Sequence, residues 1–185
     1  MSLFSQLEAL KRCWSAFVSN NPFFLTLQDR SFFVVSTEDD QILQELKPKG
    51  SETGSRPVAE CMKGTRLDVL AIIDDWVDDF EAPNILWVRG YPGVGKSSIA
   101  SSVISTLRQR NRLGSRFIFE REKATLSTPN MLWRSVAYDL ARQYPPVRNA
   151  VVKMLKEEEV DVETSNVKAL FRQLIEEPLE AAETG

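Results

Sequence analysis

The fold of this chain is most constrained by Ile85-Leu86-Trp87-Val88-Arg89-Gly90-Tyr91-Pro92-Gly93-Val94-Gly95-Lys96-Ser97-Ser98-Ile99. An apolar run, a glycine-bearing loop and the first turn of a helix follow in that order, and G-x-x-x-x-G-K-S runs from Gly90 to Ser97. This is the spacing of a phosphate-binding loop. Gly90, Gly93 and Gly95 reach backbone angles that a side chain makes costly, so the loop can wrap an anion with its N–H groups turned inward. A helix starting near Lys96 adds unpaired N–H groups and the positive end of its dipole. Lys96 then reaches β and γ phosphate oxygens as a point charge, and the Ser97 hydroxyl is a magnesium ligand. The competing reading is a tight glycine turn between a strand and a helix. It leaves the Lys-Ser pair and the full spacing unexplained.

Composition narrows the remaining classes. Of 185 residues 43% are apolar, enough for one substantial core and a small appendage. The 23 basic and 26 acidic side chains give a formal charge of -3, which does not recommend a nucleic-acid partner. There is no histidine, which removes His-based catalysis and His-ligated zinc. Cys13 and Cys61 follow neither metal nor redox spacing, and free thiols in a reducing, cytoplasmic compartment are expected. No apolar run approaches the length of a membrane span, so no membrane partner is expected.

Along the chain, Phe4 to Ser19 carries a helical apolar pattern, Ser31 to Val35 reads as a short strand, and Thr37 with Asp40 opens a helix through Ile42, Leu43 and Leu46. Residues 1–47 are taken as a small, mostly helical N-terminal region, and residues 48–60 as a flexible linker rich in Pro, Gly, Ser and Thr. The third segment, 61–185, opens with a helix from Thr65 to Val77 that ends among Asp74, Asp75, Asp78 and Asp79. These carboxylates suit a solvated turn better than a metal site, because no calcium-loop spacing is present. After the phosphate loop, Ile99, Val103 and Leu107 mark a helix ending at an arginine cluster, Arg108, Arg110, Arg112 and Arg116, that complements its dipole. Arg116 to Glu120 reads as a second, parallel strand. Three further helices are expected: one after Thr128-Pro129, one after Tyr144-Pro145-Pro146, and one capped by Ser165 or Asn166 that stops before Pro178. The expected fold is therefore α/β, a partial P-loop NTPase fold with parallel strands flanked by helices.

Cys61-Met62-Lys63-Gly64-Thr65-Arg66, Ile73-Asp74-Asp75-Trp76, the run from Ile85 to Ala100 and Phe117-Ile118-Phe119 together resemble the amino-terminal part of a fungal NACHT-type nucleotide-binding domain. This is the group whose P-loop region is similar to nephrocystin-like proteins within the signal-transducing NTPases. The resemblance implies a module that binds ATP or GTP with Mg2+ and that associates with itself or with longer NACHT relatives. Carried over by position, Gly90, Tyr91, Pro92, Gly93, Val94, Gly95, Lys96, Ser97 and Ser98 hold phosphate, Ser97 serves magnesium, and Arg66 lies near the base or ribose. The family's acidic strand, which orients magnesium for water attack, has no counterpart here. The expectation is a chain truncated before that strand, which binds nucleotide without hydrolysing it. An active NTPase or phosphoryl-transfer enzyme, and a nucleotide-independent interaction fragment, are the alternatives.

Overall fold

The structure, a computed structural model, describes residues 37–47, 58–83, 85–119, 128–157 and 159–184. The expected helix at 4–19 and strand at 31–35 lie outside them. Two compact units are present: residues 37–47 with 117–184, and residues 58–116.

The first unit is an all-helical bundle. Its elements are α1 (Thr37–Gln44), then after the second unit α4 (Pro129–Gln143), α5 (Pro145–Lys156), α6 (Val167–Phe171), a π segment (Arg172–Glu176) and α7 (Glu177–Thr184). Two side chains set helix starts: Thr128 Oγ1 accepts from the Met131 N–H at 3.2 Å, and Asn166 Oδ1 accepts from the Ala169 N–H at 3.1 Å. Pro129 follows the first of these caps, where its missing N–H costs nothing. Tyr144 ends α4, and Pro145 opens α5.

Apolar residues three and four apart on α4, namely Trp133, Val136, Ala137 and Leu140, point into one core with Val147 and Val151 of α5 and Leu170, Phe171, Leu174 and Leu179 beyond. Trp133 and Phe171 meet at its centre, ring centroids 4.8 Å apart and tilted by 59°. Leu43 and Leu46 complete the same core from α1 and the turn after it.

Pro178 does not stop the last helix. The Glu177 N–H donates to the Arg172 carbonyl, five residues back, so the chain widens into a π turn just before the proline and continues to Thr184. A proline inside an α-helix lacks the N–H for the i−4 bond and its ring meets that carbonyl; the shifted register accommodates both.

The second unit pairs α2 (Leu67–Asp78) with α3 (Lys96–Gln109). Ile73 and Ile99 are its buried apolar residues among those described. The segment 58–61 runs along α3, held where Ser101 Oγ donates to the Val58 carbonyl at 2.8 Å and the Cys61 N–H donates to Ser102 Oγ at 2.9 Å.

The expected parallel sheet is not formed: among the described residues there is no strand, and the architecture is helical rather than α/β. Ile85 to Val88 and Arg116 to Phe119 carry no regular secondary structure, and Glu120 lies outside the described residues. The reason is that a helix satisfies its N–H and C=O groups within its own segment, whereas a strand exists only as half of a ladder. Two short apolar runs make at best a marginal ribbon. Trp87, Val88, Ile118 and Phe119 consequently remain exposed.

Candidate phosphate-binding site

The loop from Gly90 to Gly95 enters α3 through two left-handed glycines. Gly93 has φ +83° and Gly95 +92°, conformations that L side chains rarely adopt. Gly90 is confined by space instead: a Cβ there would lie 2.9 Å from Val94 Cγ2, so the valine side chain would have to shift. Gly95 is the N-cap of α3 and offers no side-chain oxygen, and the first bond into the helix runs from the Ile99 N–H to the Gly95 carbonyl at 3.0 Å. The N–H groups of Lys96, Ser97 and Ser98 thus precede the helical ladder and are the groups available to an anion. Ile99, one residue further on, is buried and fixes the turn against the unit's interior.

Lys96 lies back over the loop it follows. Its Nζ donates to the Gly90 carbonyl at 2.7 Å and to the Tyr91 carbonyl at 2.9 Å, which sets the ammonium at the loop. Ser97 is exposed and Ser98 half-buried, while Tyr91, at 85% exposure, and Pro92 stand at the rim.

Arg66 is brought to the same place by a separate element. Thr65 closes a turn on Met62, its N–H donating to the Met62 carbonyl at 3.0 Å and its Oγ1 to the same oxygen at 2.7 Å. Gly64 (φ 83°) and Arg66 (φ 59°) are both left-handed, the second an uncommon conformation for a residue with a side chain. The result sets the Arg66 guanidinium against the loop: its Nη2 is 3.3 Å from where a Gly95 Cβ would stand. Two cations from different elements, Lys96 and Arg66, therefore converge on one glycine turn. Sequence reasoning had no signal for the positioning hydroxyls, Ser101 and Ser102, which seat 58–61 on α3 and so bring the Met62–Arg66 turn to the loop.

The acidic end of α2 and the basic end of α3, which the sequence presents as two unrelated clusters, form a joint network away from the loop residues. Arg110 pairs with Asp74, and Arg112 bonds the Asp78 carboxylate and the Val77 carbonyl. The Arg110 pKa is raised further above its ordinary value, first by the hydrogen bond to Asp74 and next by that residue's charge. Beside this network a cleft of about 290 Å³ between α2 and α3 is lined by Leu70, Ile73, Val77, Val103 and Leu107, and by no residue of the phosphate loop. Among the described residues no group of three or more acidic or cysteine side chains is arranged to hold a metal ion, and no helix is long and apolar enough to cross a membrane.

Comparison with known families matches residues 70–185 to the family described as nephrocystin 3, N-terminal. No curated protein and no solved structure matches the chain. The matched residues include the whole loop from Gly90 to Ser98 and leave Arg66 and α1 outside. By that match over more than half of its length, the chain belongs to the nephrocystin 3 N-terminal family.

Proposed function

We propose that the chain is a nucleoside triphosphate-binding module, taking ATP or GTP with Mg2+ through Gly90 to Ser98. One observation carries the reading: two left-handed glycines lead into an uncapped helix start, with Lys96 and Arg66 both set against the turn. The residues fit the ligand's chemistry. The early α3 N–H groups and Lys96 suit phosphate oxygens, the exposed Ser97 hydroxyl suits magnesium, and Arg66 suits a phosphate or the sugar edge. Bound magnesium would neutralise phosphate charge. Lys96 would exchange the Gly90 and Tyr91 carbonyls for phosphate oxygens, an exchange of one set of polar contacts for a more strongly charged one.

The reading includes a NACHT-type signalling NTPase of the fungal kind, a cytoplasmic location and association with itself or with longer relatives. It stops at binding. Hydrolysis, which needs a further carboxylate to orient magnesium and water, is not part of the proposal. Titration of the full chain with ATP and GTP, with and without magnesium, is the test. Saturable binding that Lys96→Ala abolishes is expected; no binding of either nucleotide at millimolar concentration sinks the proposal.

A second reading, a nucleotide-independent interaction fragment, is favoured by Phe80, Trp87 and Tyr91, which are all more than two-thirds exposed. Self-association that neither nucleotide nor Lys96→Ala alters would select it.

A further inference from the structure

Arg66 is the residue from which α2 starts and Gly95 the one from which α3 starts, and the Arg66 guanidinium lies against Gly95, its Nη2 3.3 Å and its Cζ 3.7 Å from where a Cβ would stand. Near the end of α2, Asp74 and Asp78 meet Arg110 and Arg112 just past the end of α3. The two helices therefore run side by side in the same direction, pinned at one end by ion pairs and bringing their starts together at the other. The start of α2 is fixed further by the turn that Thr65 closes on Met62 and by the Leu70 N–H, which donates to the Arg66 carbonyl at 3.0 Å. Backbone geometry, and no bond of its own guanidinium, delivers Arg66 to the loop.

The two ends of this helix pair differ in charge. Arg110 and Arg112 are neutralised by carboxylates, whereas Arg66 and Lys96 meet none among the described residues. Asp68, the nearest acid along the chain from Arg66, is exposed and pairs with neither cation. Where Arg66 stands along the loop narrows which part of a ligand it meets. A Cβ at Gly93, in the middle of the loop, would have nothing within 4 Å, so the guanidinium is at the helix end of the loop, beside Lys96 and the early N–H groups of α3. In a loop of this spacing those groups cradle the α and β phosphates and the lysine reaches the β and γ phosphates. The ribose and base extend away beyond the α-phosphate. A guanidinium also carries the fork of donors that matches phosphate oxygens, and the missing side chain of Gly95 leaves room for it.

We infer that Arg66 is a specificity-determining residue that reads the phosphate chain of the ligand together with Lys96 and contacts neither ribose nor base. The inference rests on the reading of Gly90 to Ser98 as a nucleotide site. It adds that the second cation, supplied by a different helix, recognises polyphosphate as such, so the contribution of Arg66 is the same for ATP, GTP and inorganic tripolyphosphate. Three observations carry it: the guanidinium stands at the helix end of the loop, it has no carboxylate to neutralise it, and the parallel α2–α3 pair holds its backbone in place.

The test is calorimetric titration of the full chain, Arg66→Ala and Arg66→Gln with the magnesium complexes of ATP, GTP and inorganic tripolyphosphate. Arg66 is exposed, and alanine or glutamine at φ 59° carries the same left-handed backbone as arginine, so neither change disturbs the unit's interior. Each variant should bind all three ligands more weakly by one common factor, about tenfold, the worth of a charge-assisted contact. Glutamine keeps most of the stem and removes the charge, so it decides the matter if the alanine variant fails to fold by circular dichroism. A fall for ATP and GTP with tripolyphosphate unchanged would put Arg66 at the nucleoside and overturn the inference. So would unchanged binding of all three. Tripolyphosphate that does not bind the unaltered chain at millimolar concentration, while ATP does, overturns it as well and leaves the nucleotide site standing. If the unaltered chain binds none of the three, the nucleotide reading itself falls, and this inference with it.

Discussion

Arg110 grips Asp74 with both guanidinium nitrogens, Nη1 2.7 Å from Oδ1 and Nη2 2.8 Å from Oδ2, the parallel two-bond geometry in which arginine binds carboxylates most specifically. The pair joins the last turns of α2 and α3. It offsets the unfavourable placement of carboxylates at the negative end of the α2 dipole. Arg110→Asp should therefore lower the melting temperature, and adding Asp74→Arg should recover part of the loss. Both groups are well exposed, so the effect should shrink as salt is raised. A double-mutant cycle at low and high ionic strength is the check, and a coupling that salt leaves unchanged would contradict this account.

The loop glycines should respond unequally. At Gly93 a Cβ meets nothing within 4 Å, so Gly93→Ala carries only the left-handed strain, about 1–2 kcal/mol. At Gly95 the same strain is compounded by contact with Arg66 Nη2 at 3.3 Å. If the loop binds nucleotide as proposed, Gly95→Ala should weaken that binding more than Gly93→Ala, and part of the difference should vanish when Arg66 is also shortened to alanine. Calorimetric titration of the four variants tests the order.

Tyr144, at the α4–α5 junction, has its pKa pushed up to about 12 by burial, which disfavours the phenolate. An unfolded tyrosine ionises near 10. The folded state thus holds its proton more tightly, and the associated stability is fully present below about pH 10 and lost between about pH 10 and 12. Relative to the unaltered chain, Tyr144→Phe should flatten the alkaline fall in unfolding free energy. Absorbance titration that finds every tyrosine ionising together near 10 would remove the basis for the prediction.

The contact of Trp133 with Phe171 lies at the centre of the helical core, so Phe171→Ala should cost roughly 3–5 kcal/mol through lost transfer energy and an unfilled cavity. Phe171→Leu should cost appreciably less. Denaturant unfolding followed by far-ultraviolet circular dichroism measures both, and equal losses would mean that the site collapses around the smaller residue.

What the sequence makes legible here is what is local. The helix from Pro129 to Gln143 follows from Leu132, Trp133, Val136, Ala137 and Leu140 at helical spacing after Thr128, and the start of α3 at Lys96 follows from the glycine loop. Asn166 as a cap is equally readable, because Asn commonly fills that position. The strands were misread because Ile85 to Val88 and Arg116 to Phe119 have strand composition but depend on a ladder partner that composition does not specify. The halt at Pro178 was misread because a proline's effect depends on whether the preceding turn can shift register, and Arg172 to Glu176 does so. The convergence of Lys96 with Arg66 was indicated by resemblance and not by spacing. The pairing of the Asp74–Asp78 and Arg110–Arg112 clusters was missed because each had a sufficient local explanation, and nothing in either segment encodes the partner 36 residues away.

The hydrogen bonds from Arg134 to the Glu45 and Leu46 carbonyls have a consequence for biosynthesis. The oxygen that Arg134 Nε takes belongs to Leu46, 88 residues earlier in the chain. At ordinary translation speeds that separation is roughly 4–18 s of synthesis. During that interval the leucines of residues 37–47 are made but their core is not, while all of the 58–116 unit emerges. The nascent chain thus carries an acidic amphipathic segment for seconds before the helices that bury its leucines have been made.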